Sequence, residues 1–247
     1  MYCGSRENLT REHIIPYGLG GPATVPSSSC RDCARVTSGF ERTVLRGPLW
    51  GLRAYLRLST RRPQESPTHL PLSVIKDGVE ETVSLPILEH PIMLSFPRFA
   101  VPGAVSGTRV RGITITGSAV YNFGKPLVAL KQDLGVDDIR IRETSAPVAF
   151  ARFLAKVAWA SGAASGQLDH LDRGLCNAIM TEPNEIGWYV GTQAERPPMR
   201  PGILHEISFR EDGNAGLLFA DICLFAQYGT PRYEVVLGAT DRRQRAA

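Results

Sequence analysis

Three of the five cysteines lie in the first 33 residues, as Cys3, Cys30 and Cys33. Cys30 and Cys33 form a Cys-x-x-Cys, a spacing at which two thiolates can bend round one tetrahedral zinc ion. Between them and Cys3 stands Glu12-His13, which opens the short apolar run Ile14-Ile15-Pro16. An acid beside a histidine sets a possible metal ligand next to a possible general base. Gly18, Gly20 and Gly21 follow, with Pro22 and Pro26, and this is loop or hairpin-turn chemistry.

The N-terminus, Met1 to Arg6, has no apolar signal-peptide core, and no apolar run approaches the length of a membrane span. The expectation is a cytoplasmic protein without a membrane partner. In a reducing cytosol, clustered thiols favour metal over disulfide. Cys176 and Cys223 sit in apolar surroundings and read as buried, unreactive thiols.

The net charge of +4 is unevenly spread. Residues 1–63 hold ten arginines, no lysine and four acids, a surplus of six positive charges. The remaining residues hold 18 basic and 20 acidic side chains, a deficit of two. The positive excess therefore coincides with the cysteines. It favours a polyanionic partner, because a guanidinium grips phosphate in a bidentate fashion. Arg11, beside the acid-His pair, Arg31, within the Cys-x-x-Cys, and Arg35, just after it, are the expected nucleic-acid contacts. No protein partner can be inferred.

The elements that must position these groups are short. His13-Ile14-Ile15 reads as a strand ended by Pro16, which lacks a donor. A helix is predicted from Arg31, with Val36, Phe40, Val44 and Leu45 on one face, stopped at Gly47. Pro48 opens a second helix carrying Leu49, Leu52 and Leu56. Residues 59–67 read as a breaker-rich linker. Beyond it, Leu70–Ile75 and Glu81–Leu85 flank Asp77-Gly78, a favoured tight-turn pair. Val110–Thr116 alternates like a strand. Residues 147–162 form the clearest helix, low in charge and so largely buried. Further strands alternate with turns to the C-terminus, making this half α+β. The tail from residue 241 reads as polar and frayed. The division expected is a finger over 1–62 and an α+β domain of unknown function over 68–240.

At Cys3-Gly4, Glu12-His13-Ile14-Ile15-Pro16, Gly20-Gly21 and Cys30/Cys33 the sequence resembles the HNH endonucleases, in the branch where zinc knuckles brace a ββα-metal finger. The resemblance covers roughly the first 60 residues. It implies a small HNH-like finger with structural Zn²⁺ on Cys3, Cys30 and Cys33. It further implies a second metal, Mg²⁺ or another divalent ion, with Glu12 as its first ligand, and His13 as the general base that activates water on DNA. Two departures stand beside it. The residue after the second knuckle, Asn or His in the family, is Ala34, which cannot bind metal. The first knuckle has one cysteine, and its partner would fall one residue before Met1.

Glu41 shares a helix face with Ala34 but lies two turns away, about 10 Å along the axis. No basic residue stands three or four positions from it, so the sequence reads it as a solvated acid. His69, His90, His170 and His205 belong to no motif. Two functions follow as expectations: a metal-dependent HNH-type endonuclease that hydrolyses DNA phosphodiester bonds, and a zinc-braced nucleic-acid-binding protein whose finger no longer cleaves.

Overall fold

The acid-His pair lies on the first strand of a hairpin. Strands β1 (Thr10–His13) and β2 (Thr24–Ser29) run antiparallel, with Thr10 opposite Ser29 and His13 opposite Thr24. The register slips between Thr10 and Glu12, where Arg11 alone faces Pro26, Ser27 and Ser28, so the extra residues bulge from β2, with Ser27 at φ +44°. Helix α1 (Arg31–Arg46) follows directly, giving the order strand, strand, helix. The computed structural model describes residues 1–60, 63–141 and 144–240. Arg61 and Arg62, with the expected end of the finger at residue 62, lie outside the described residues, as does the tail 241–247.

Helix α1 buries Cys33, Thr37, Phe40 and Val44. Val36, expected on that face, is exposed. Gly47 ends the helix, and short α2 (Trp50–Tyr55) buries Leu52.

The chain then builds β3 (His69–Lys76) and β4 (Val79–Pro86), joined through Asp77 and Gly78 with φ of +50° and +76°. Both positive values suit a two-residue hairpin turn, as the Asp-Gly pair predicts. Strand β5 (Ile92–Phe99), one-turn α3 (Gly103–Ser106) and β6 (Ile115–Phe123) come next, with β5 and β6 paired antiparallel. Residues 110–113, expected in a strand, lie outside β6. Gly112 instead donates its N–H to Asn184 O (2.6 Å) and accepts from Gly187 N (2.9 Å), which holds this segment against a 3₁₀ turn at Pro183–Trp188. Helix α4 (Leu127–Leu134) leads to β7 (Asp138–Arg140), which pairs with β3.

Helix α5 (Pro147–Ala164) is the spine of the molecule and is buried almost continuously from Phe150 to Gly162. Helix α6 (Arg173–Met180) packs beside it. Strands β8 (Val190–Thr192), β9 (His205–Asp212), β10 (Leu217–Leu224) and β11 (Arg232–Ala239) form one antiparallel sheet in the order β8-β11-β10-β9. The α+β class expected from the sequence holds.

One hydrophobic core runs from the finger into the spine. It joins Tyr2, Ile15, Leu19, Phe40 and Val44 to Phe150, Phe153, Val157 and Trp159, and on to β10 and β11. A separate small core, with Leu72, Val74, Leu85, Leu130 and Val136, lies under β3, β4 and α4. Among the described residues no helix is long and apolar enough to cross a membrane.

Candidate functional site

The three cysteines converge. Their sulfurs all lie within 4.8 Å of one another, and Cys3 Sγ is 3.5 Å from Cys30 Sγ. Local geometry explains this. Gly4 takes φ +77° beside Cys3, Cys30 caps the start of α1, and Cys33 falls in the helix's first turn. Tyr2, buried in the core with its carbonyl oxygen accepting from Arg173 Nη1 (2.6 Å), anchors the segment that sets Cys3 beside Cys30. Hydrogen bonding, first from the Cys33 backbone N–H, pulls the Cys30 thiol down to about 7. Burial, reinforced by the neighbouring thiols, pushes Cys33 up to about 12. The cluster could hold a metal ion. The chemistry of the donor set suits a thiophilic one, for a shared ion must hold sulfurs about 2.3 Å from its centre.

Glu12 and His13 are neighbours on β1 but meet different surroundings. Glu12 is buried at 7% exposure and points into the molecule. His13 is half-buried, with its ring 6.3 Å from that of Tyr17. The partner of Glu12 comes from the spine: Lys156 Nζ lies 2.8 Å from Glu12 Oε1. The same ammonium lies 2.8 Å from Glu41 Oε1. It also donates to the His13 carbonyl oxygen and, at 3.4 Å, to that of Ile14. Lys156 is 0% exposed.

Four oxygens from β1, the following residue and α1 thus surround one nitrogen from α5. Glu41 is therefore not a solvated acid. Burial raises its carboxyl above the ordinary range, and the Lys156 charge opposes that rise. The buried Tyr2 phenol is raised well above its usual value, by burial first and then by the charges of Glu12 and Glu41. Sequence reasoning missed Lys156. Its signal was a lone ammonium in an apolar helical run, between Ala155 and Val157, where a charge must find a partner.

The glycine loop after β1 is held from two sides. Gly21 passes so close to Ile15 that a Cβ would meet its carbonyl oxygen at 2.1 Å, and Gly20 has φ +80°. Arg53 of α2 donates from Nε to Gly18 O (2.7 Å) and from Nη1 to Leu45 O (2.9 Å). His205 Nε2 bonds Leu19 O at 2.8 Å, while its Nδ1 accepts from Phe225 N at 3.2 Å. That pairing requires the neutral ring with its proton on Nε2. Burial correspondingly lowers its pKa.

Arg11, Arg31 and Arg35 are exposed, and Arg35 pairs with Asp32 at 3.1 Å. Arg42 and Arg46 are exposed too. With 3.6 residues per turn, positions 31, 35, 42 and 46 fall within about 60° of one another, along about 22 Å of helix. This stripe lies opposite the buried face of Cys33, Thr37, Phe40 and Val44. Arg42 and Arg46 went unnamed in the sequence reading although the spacing was legible there. Ala34 sits half-buried in the first turn, its N–H bonded to Cys30 O at 2.9 Å.

No family model matches this chain, and no curated protein or solved structure shows significant similarity to it.

Proposed function

We propose that this protein binds nucleic acid through an HNH-like ββα finger braced by zinc on Cys3, Cys30 and Cys33, and that the finger does not cleave. The observation that carries the reading is the arginine stripe of α1. Four guanidinium groups stand on one exposed ridge, opposite a face that anchors the helix in the core. Such a row suits a phosphate backbone, which binds Arg largely without regard to sequence. Arg11, on β1 opposite the bulge of β2, adds a further cation to the same finger. DNA is the expected partner. The lack of a ligand at Ala34 favours binding over hydrolysis.

A second reading, the endonuclease, is favoured by one feature: the strand-strand-helix order places Glu12 and His13 on a finger strand ahead of a helix. In that reading His13 is the base.

The test is binding of duplex DNA across a salt series, together with nicking of plasmid in Mg²⁺ or Mn²⁺. Arg42→Ala should weaken binding and lower the slope of log affinity against log salt by about 0.9, the loss of one phosphate contact. Wild type and His13→Ala should leave the plasmid intact. Nicking that disappears in His13→Ala would establish the endonuclease instead, because removing a general base costs a factor of roughly 10²–10⁴. Absence of any salt-dependent binding sinks both readings.

A further inference from the structure

We propose that Lys156 is a tethered cation filling an oxygen cage that would otherwise take a divalent ion, so that the cage takes up no divalent ion while this side chain is present. The geometry carries the idea. The Glu12 and Glu41 carboxylates and the His13 and Ile14 carbonyls converge on a single point, and Nζ occupies it. Carboxylate and carbonyl oxygens are the donors that hard cations such as Mg²⁺, Mn²⁺ and Ca²⁺ take.

Size allows the exchange. The two carboxylate oxygens lie 2.8 Å from the nitrogen. Metal–oxygen bonds run from about 2.0 Å for Mg²⁺ to about 2.6 Å for Ca²⁺, so the two carboxylates need close in by less than an ångström, while the Ile14 carbonyl, at 3.4 Å, stands farther off. Charge favours the exchange as well. One ammonium faces two carboxylates, whereas a divalent ion would match both.

Free ions are nonetheless excluded from the native protein. Lys156 is covalently fixed on a helix whose flanking residues are all in the core, and it is wholly buried. A group already fixed in place meets its partners without the translational and rotational cost that a free ion would incur. The carboxylates are also shut from solvent, with side-chain exposures of 8% for Glu12 and 16% for Glu41. Lys156 in this account is a positioning residue. It draws the hairpin β1–β2 and α1 onto α5 by balancing the charge of acids that would otherwise require a metal, although Glu41 Oε1 gains an ion pair there without hydrogen-bond geometry. The proposal is independent of what the arginine stripe binds.

The test uses the full chain and Mn²⁺, which thiolates take poorly, read by calorimetric titration and by thermal denaturation. Wild type should give no saturable uptake and no change in Tm. Lys156→Ala should melt lower than wild type, bind one Mn²⁺ per chain, and regain stability as the ion saturates. Adding Glu12→Gln and Glu41→Gln to Lys156→Ala should abolish that response while leaving a folded protein. If Lys156→Ala does not fold alone, refolding in Mn²⁺ should recover it. The proposal is overturned by wild type that binds Mn²⁺ as tightly as the variant. A folded Lys156→Ala protein indifferent to Mn²⁺ overturns it too, as does one that fails to fold with the ion and without it.

Discussion

The finger holds two polar clusters of opposite character, and each explains the other. The thiol cluster of Cys3, Cys30 and Cys33 ranges from exposed to buried and stands at the molecule's edge. Two of its members lie at the start of one helix, and the segment ahead of β1 supplies the third. The carboxylate cluster of Glu12 and Glu41 is buried, and its cation arrives from residue 156, more than a hundred positions along the chain. A cluster open to solvent can leave its charge to be balanced by an ion from outside. A cluster sealed in the core must fold with its counter-charge already in place, since an unpaired buried carboxylate is too costly to keep ionised. The two ends of one small finger therefore divide the work: an external metal can hold one, and the spine of the molecule holds the other.

This contrast can be broken first at the sealed end. Lys156→Ala, measured by chemical denaturation without divalent ions, should cost about 3–5 kcal/mol, the usual penalty for leaving a buried charge without its partner. Lys156→Met combined with Glu12→Gln and Glu41→Gln should restore most of it. A loss of less than about 1 kcal/mol, the value typical of exposed pairs, would mean that the cage is not sealed and the contrast is false.

At the open end the expected effect is smaller and depends on the ion. With free zinc a hundredfold above its Kd, the metal should add about 2.7 kcal/mol. A strong chelator should remove that increment from wild type. Cys30→Ser or Cys33→Ser should lower the zinc content of the purified protein and make its Tm insensitive to the chelator. A wild-type Tm that ignores both zinc and chelator would leave the thiols without a metal role.

The smallest expected effect concerns the loop between the two clusters. The pKa of His205 is depressed in the folded protein by burial. The unfolded chain therefore takes up this proton first as pH falls, and stability is lost from the ordinary histidine value of about 6.5 downward. The loss levels off below the lower, folded pKa. His205→Gln should flatten this part of the stability profile between pH 7 and pH 5. An unchanged slope would show that burial does not hold down the protonation of this ring.

Much of the fold was legible. The Asp77-Gly78 hairpin follows from a residue pair that readily takes two positive φ values, set between alternating strands. The buried helix over residues 147–164 follows from an apolar run too long for a strand. The Cys30/Cys33 half of the thiol cluster was legible because its geometry is local, one helical turn. His205 was not legible, because nothing beside it in the chain marks the loop carbonyl it meets. Glu41 was misread for a related reason. Helix spacing reports only partners three or four residues away, and its partner lies on another helix.

By itself, the sequence determined the places where charge, thiol and turn chemistry concentrate: the arginine-rich first quarter, the Cys-x-x-Cys at a helix start, the acid-His pair on a short strand. Spacing along the chain suffices for these, since helical and hairpin periods are built into the backbone. The tertiary structure alone decided what faces Glu12. A carboxylate on a strand has the same local geometry whether it meets water, a metal or an ammonium. The choice fell to Lys156 because the core that joins α1 to α5 leaves no solvent there, and a buried acid takes the cation that packing brings to it.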